Sequence, residues 1–164
     1  MDSTITIRPI AEKDFPMLME IENMIWTTKN SPVVHHYNSV EEYKEKISNQ
    51  RIFVAADSQQ VHGFIGVHHP TPLLAHQKQW MLGIGVHPAS QSLGIGKKLL
   101  DFLKETAKNE GIHKLSLRVM SANTKAVQFY RKNEFVQEAF FKDEFYIDGH
   151  YCDDYQFAFF IDTI

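Results

Sequence analysis

Between Trp80 and Val119 the chain reads strand, helix, strand, and this order constrains the fold more than any other feature. Trp80 to Val86 is an apolar run. Ile95 to Glu110 then sets Ile95, Leu99, Leu103 and Ala107 on one stripe and Lys97, Lys98, Asp101, Lys104, Glu105 and Lys108 away from it. Gly111 supplies the helix stop, and Lys114 to Val119 alternates as a second strand. Two strands joined through one helix pair in parallel, with a right-handed crossover.

The flanking segments predict antiparallel partners for that unit. Thr4 to Arg8 alternates and ends at Pro9, and Asp14 to Trp26 carries Phe15, Leu18, Met19, Glu22 and Ile25 at helical spacing. An irregular stretch, Thr27 to Asn38, precedes Ser39 and Glu42, which read as a capping box opening a helix to about Ser48. Arg51–Ala56 and Val61–His68 form a predicted hairpin through Asp57 to Gln60. After the crossover, Ala122 to Lys132 reads as a helix, and Phe135–Phe141 and Tyr151–Phe160 read as closing strands around Asp148-Gly149. The sheet must therefore be mixed.

A chain of 164 residues accommodates one domain, 1–164, and a composition 43% apolar and 23% charged predicts a packed core. The net charge of -3 contains no long run of one sign and the nine histidines are scattered, which argues against a nucleic-acid partner. Cys152 is the single cysteine, so no internal disulfide can form and a reducing compartment is the simplest setting. Met1 to Arg8 lacks the features of a signal peptide and no stretch approaches a membrane span. The expectation is a soluble, cytoplasmic protein without a membrane partner.

Six of the eight glycines fall between positions 63 and 96. Gly63 and Gly66 read as tight packing within a strand. Gly83, Gly85, Gly94 and Gly96 surround a more telling context: strand, Val86-His87-Pro88, loop, then Gln91-Ser92-Leu93-Gly94-Ile95-Gly96 at a helix start. Such a start leaves backbone N–H groups unpaired and carries positive dipole character, so small residues ahead of it let an anion reach those donors. Two familiar phosphate loops are excluded. Leu99 stands where the dinucleotide fingerprint has its third glycine, and no glycine precedes Gly96-Lys97 at Walker spacing.

With Val86-x-Pro88, Gln91-x-x-Gly94-x-Gly96, and then Asn123, Ala126, Phe129, Tyr130 and Phe135, the chain resembles the GNAT superfamily of acyl-CoA-dependent N-acetyltransferases. The resemblance implies an α/β (α+β) single-domain fold. Its mixed, mostly antiparallel sheet has a central parallel strand pair splayed for the cofactor, and helices on both faces. It further implies acetyl-CoA as cofactor, with pyrophosphate on the amides of Gln91, Ser92, Leu93, Gly94, Ile95, Gly96 and Lys97 and pantetheine alongside Ile84, Gly85 and Val86. A main-chain amide of that strand would polarise the thioester carbonyl. Asn123 would both cap its helix and touch the cofactor. Tyr130 would protonate the departing thiolate, although an aromatic there also fits a core stripe beside Ala126 and Phe129. Glu134 stands where the family has glycine, and Asn133 is expected to take over the left-handed backbone.

The implied reaction moves acetyl from acetyl-CoA to a primary amine of a small molecule or of a peptide or protein end. The amine attacks directly within a ternary complex. The alternative is an acyl-CoA-binding sensor or scaffold without catalysis. The resemblance carries over no general base, because Trp80, Met81 and Leu82 stand where relatives place a glutamate. Glu22, His35, His36, Asp153 and Asp154 remain as candidates. An acceptor pocket is expected from Glu22, Trp26, Tyr37, Trp80, Leu82, Tyr146 and Asp153, aromatics enclosing a carbon skeleton or cation and carboxylates attracting its charge. No metal is expected, since adjacent histidines on a strand point to opposite faces. Oligomeric state is left open, with a homodimer among the alternatives.

Overall fold

The Asp57–Gln60 turn forms because Asp57 is acceptor and donor at once. Its Oδ1 accepts from the amides of Gln59 and Gln60 at 2.8 Å, and its own N–H reaches the Gln60 carbonyl. In the computed structural model, which describes residues 4–162, this turn joins β2 (Arg51–Ala56) to β3 (Val61–His68). The remaining strands are β1 (Thr6–Pro9), β4 (Gln79–Val86), β5 (Lys114–Met120), β6 (Val136–Ile147) and β7 (His150–Phe160). The α-helices are α1 (Phe15–Ile25), α2 (Val40–Lys46), α3 (Ile95–Asn109) and α4 (Thr124–Lys132). All seven strands share one mixed sheet in the order β1-β2-β3-β4-β5-β7-β6. The parallel pair is β4 with β5, with register Gln79↔Lys114 to Met81↔Ser116, and Leu82 to Val86 lie beyond its last pair.

Contacts group the described residues into two units. The first comprises residues up to Ile25, His35–His68 and Leu82–Thr106. Here β2 and β3 are buried on both faces, which is why their sequences are continuously apolar. Leu18 and Ile21 of α1, Tyr43 of α2 and Ile47 just after it meet Ile52, Val54, Ala56 and Phe64 on one face. Phe53, of opposite parity, meets Phe102 of α3, their ring centroids 5.1 Å apart. Helices therefore cover both faces of this part of the sheet. Gly63 makes the second packing possible: a Cβ there would lie 2.8 Å from the Gly85 carbonyl oxygen and 3.0 Å from Ile95 Cγ2. The tight-packing reading of Gly63 is the one the contacts bear out.

The second unit comprises Trp26–Val34, His69–Met81 and the chain from Ala107 on. Phe157 and Ala158 of β7 and Leu115 and Leu117 of β5 are buried, as are Val127 and Tyr130 of α4. β6 and β7 close through Asp148 and Gly149, both left-handed (φ 50° and 82°), the geometry of a two-residue hairpin turn.

Three expectations need correction. β6 runs to Ile147 rather than Phe141, because the polar run Lys142-Asp143-Glu144 is a bulge and not a stop. The register shifts there, Asp143 takes φ 51°, and Asp153 Oδ1 accepts its N–H at 2.8 Å. The capping box is half present: Ser39 Oγ accepts from Glu42 N–H at 3.1 Å, but the Glu42 carboxylate reaches Asn38 N–H and His35 instead of Ser39. At the end of α4, Glu134 itself adopts the left-handed backbone (φ 71°) while Asn133 remains at φ -96°. Phe135 N–H reaches Tyr130 O and Glu134 N–H reaches Arg131 O, the bond pair of a Schellman ending, which places the left-handed residue at 134 whatever its side chain.

Candidate active site

The stretch 88–94 is more ordered than a loop, since Pro88–Leu93 is a 3-10 turn. His87 caps it, its Nδ1 accepting from Ala89 N–H at 3.0 Å. Gly94 then reverses the chain at φ 70°, and its carbonyl accepts the first α3 bond, from Lys98 N–H. The amides of Ile95, Gly96 and Lys97 thus belong to the first turn of a 15-residue helix, where they have no partner within the helix. Gln91, Ser92, Leu93 and Gly94 are exposed, and a Cβ on Gly94 would meet nothing within 4 Å. Donors, dipole and access coincide here, which fits a phosphate group. The Lys97 Nζ lies 2.6 Å from Asp101 one turn on, so its amide is the group the turn presents.

Along β4, Gly83 is exposed beside open space. Gly85 is a packing requirement, since a Cβ would come within 2.7 Å of the Phe64 ring and 3.0 Å of Ile25 Cδ1. Ile84 and Val86 are half-buried.

In the second unit Asn123 caps α4, its Oδ1 accepting from Ala126 N–H at 3.3 Å. Tyr130 is buried and held edge-on by Phe129 and Phe135, with centroids at 5.3 and 5.6 Å. Burial alone pushes its phenol well above the ordinary value near 10, so it keeps its proton at neutral pH.

Of the acceptor residues, the first unit brings Glu22 and Tyr37 together. Asn23 of α1 clamps Tyr37 by both main-chain groups, donating to its carbonyl at 3.0 Å and accepting from its N–H at 2.8 Å. The Tyr37 phenol is pushed up by burial, then by the negative charges of Glu22 and Glu42. Tyr43, which the sequence did not single out, joins them: its ring lies 5.0 Å from that of Tyr37, and burial followed by Glu22 raises its phenol. Leu82 is buried in the same unit. In the second unit Trp80 is buried, Trp26 is half-buried, and Tyr146 packs at a tilt against Tyr151, centroids 5.1 Å apart, on the exposed tip of the β6–β7 hairpin. Asp153 is occupied at the bulge.

The base candidates differ sharply. His35 Nε2 lies 2.8 Å from Glu42 in an exposed pair, and His36 is exposed. Asp154 is buried, its Oδ2 accepting from Arg118 Nε at 2.6 Å; desolvation raises its carboxyl pKa against that bond. Among the described residues no group of three or more His, Cys, Asp or Glu could hold a metal ion, and no helix is long and apolar enough to cross a membrane.

Sequence reasoning missed one buried polar group, Asp57, His62 and Ser90. Its signal was a histidine within an otherwise apolar strand, now fully enclosed.

A mixed sheet with a short parallel ladder, and an exposed turn at a helix start, are the features of a coenzyme A-dependent acyltransferase. The chain belongs to the acetyltransferase (GNAT) family, whose sequence model matches residues 15–135. It is 26% identical to a spermidine N(1)-acetyltransferase of Vibrio cholerae serotype O1, over 93% of this chain and 91% of that protein. Among solved structures it resembles smu.2055 from Streptococcus mutans UA159, at TM-score 0.88 and 28% identity, covering 96% of this chain and 99% of that one. A phosphinothricin acetyltransferase from Sinorhizobium meliloti, solved with AcCoA, shares the fold at TM-score 0.83 and 18% identity, covering 96% and 89%.

Proposed function

We propose that this acetyltransferase moves acetyl from acetyl-CoA to a primary amine of a small, positively charged acceptor. The observation that carries the cofactor half is the stretch 91–94, exposed, left-handed at Gly94 and leading into the first amides of α3, which have no partner within the helix. Gln91 to Lys97 hold the pyrophosphate there, and Ile84, Gly85 and Val86 present backbone to the pantetheine. Asn123 contributes from the cap of α4. The bound cofactor supplies an activated acyl thioester.

Tyr130 acts as the acid. Its Oη, kept protonated by burial, gives a proton to the sulfur as the carbon–sulfur bond breaks and the new carbon–nitrogen bond forms. The amine must first lose its own proton, which at pH 7 costs about 4–5 kcal/mol for a group of pKa about 10.4. Glu22 beside two phenols is an environment that attracts a cation, and the likeness to a spermidine acetyltransferase supports the same acceptor class. Trp26, Trp80, Leu82, Tyr146 and Asp153 complete the proposed acceptor set.

The test is thiol release from acetyl-CoA by purified protein across spermidine, spermine, amino acids, aminoglycosides and short peptides. Turnover with a small polycation is expected. Binding of coenzyme A without turnover on any amine would overturn the enzyme assignment in favour of the acyl-CoA sensor.

A further inference from the structure

Three polar side chains meet in the first unit at the 88–94 turn. His62 of β3 and Ser90 of the turn are 4% and 3% exposed, and the Asp57 side chain 12%. His62 Nδ1 lies 2.7 Å from Ser90 Oγ, and His62 Nε2 lies 2.7 Å from Asp57 Oδ2. The proton order follows from chemistry. The bond from His62, then the amides of Gln59 and Gln60, hold the Asp57 carboxyl at about 2, so it is an acceptor only. Nε2 therefore donates to Asp57, and Nδ1 pairs with the Ser90 hydroxyl. The chain runs Ser90 to His62 to Asp57, every member satisfied.

The order of residue types invites comparison with a hydrolytic triad, but Ser90 is enclosed and its hydroxyl points inward to a ring nitrogen, where no substrate can reach it. What the chain does is tie the turn to β3. His62 grips the turn a second time through its carbonyl, which accepts from His87 N–H at 2.8 Å. The next residue, Gly63, lets Ile95 of α3 settle on the strand. Neighbouring Gln91 to Gly94 are exposed, and Ser90 is the member of the turn anchored from below.

We infer that Asp57, His62 and Ser90 are positioning residues for the cofactor, fixing the height of the 88–94 turn so that its amides meet the pyrophosphate. The inference rests on the reading that this turn holds acetyl-CoA. It predicts an effect on cofactor affinity separate from chemistry and from acceptor binding.

The experiment compares wild type, Ser90→Ala, His62→Leu and the double variant by calorimetry with coenzyme A. Steady-state kinetics follow on the amine found by the thiol-release screen, with thermal melts to establish folding. Ser90→Ala should raise the Kd for coenzyme A and the KM for acetyl-CoA about five- to twentyfold, in the range of a lost buried hydrogen bond. kcat and acceptor KM should stay within threefold. The double variant should bind no more weakly than His62→Leu, because both break one chain. An unchanged Kd in folded Ser90→Ala overturns the inference, as does an equal loss in kcat and acceptor KM. If His62→Leu does not fold, Ser90→Ala alone decides. If wild type itself binds no coenzyme A, it is the reading of the turn that falls.

Discussion

Glu134 holds a left-handed backbone at φ 71°, and replacing it with glycine should make the protein more stable. The two bonds of the α4 ending, Phe135 N–H to Tyr130 O and Glu134 N–H to Arg131 O, use main-chain groups only and survive Glu134→Gly unchanged. The side chain is exposed, so little packing is lost. What changes is strain: at φ 71° a residue with a Cβ carries about 1–2 kcal/mol that glycine does not. Against this stands the greater freedom of glycine in the unfolded chain, about 0.4–1 kcal/mol. The remainder, about 0.5–1 kcal/mol, corresponds to a rise in Tm of about 1–4 °C for a chain of this size. Thermal melts followed by circular dichroism should rank Gly above Glu, with Glu134→Ala close to wild type because it keeps the Cβ. A glycine variant that melts below wild type would refute the reasoning, since the left-handed residue would then be stabilised by its side chain.

Gly94→Glu puts its Cβ into open space but takes on the left-handed strain of φ 70°, about 1–2 kcal/mol, so it should fold with a lowered Tm and abolish detectable coenzyme A binding in calorimetry by setting a negative charge against the pyrophosphate. Tyr130→Phe keeps the ring between Phe129 and Phe135 and should lower kcat by about 10²–10⁴ with cofactor affinity nearly unchanged; a loss under about tenfold would remove Tyr130 as the acid. Asp14→Asn probes pH dependence. Burial opposes the Asp14 charge, but hydrogen bonds from Arg8 at 2.6 and 3.0 Å and from Ala11 N–H outweigh it and lower the pKa. A carboxyl whose folded pKa is depressed adds stability that is present above the unfolded value of about 3.9 and lost as pH falls through the folded one. The Tm difference between wild type and Asp14→Asn should therefore be widest near neutrality and close below about pH 4.

Much of this architecture was legible because local signals agreed with the tertiary arrangement. The β2–β3 hairpin, the α3 stripe, the Gly111 stop and the Asn123 cap each rest on interactions within a few residues, which a sequence displays directly. Elements failed to read where tertiary structure overrode the local pattern. Lys142-Asp143-Glu144 broke the alternation of β6, yet the strand continues because Asp153 from the neighbouring strand satisfies the bulged amide. Glu134 seemed wrong for a left-handed residue, but the ending of α4 fixes which position must bend. On the site, the turn proposed to hold phosphate was visible as glycines before a helix, whereas Asp57, His62 and Ser90 lie five and 28 residues apart and match no short motif. A histidine in a strand of apolar neighbours was the one trace of them.

The bulge in β6 also decides how this sheet ends. β6 is an outermost strand, 12 residues long, and it exposes Val136, Phe140 and Tyr146. A flat margin of that length and character would invite another chain to add itself as an eighth strand. Three consecutive charged residues, set at a kink whose central amide is already taken by Asp153, interrupt that margin midway. At the opposite margin β1 is four residues long and ends in Pro9, which has no N–H to offer. Both borders of the sheet thereby resist strand addition, and straightening the β6 kink by deleting one of its charged residues would turn that margin into a template for aggregation.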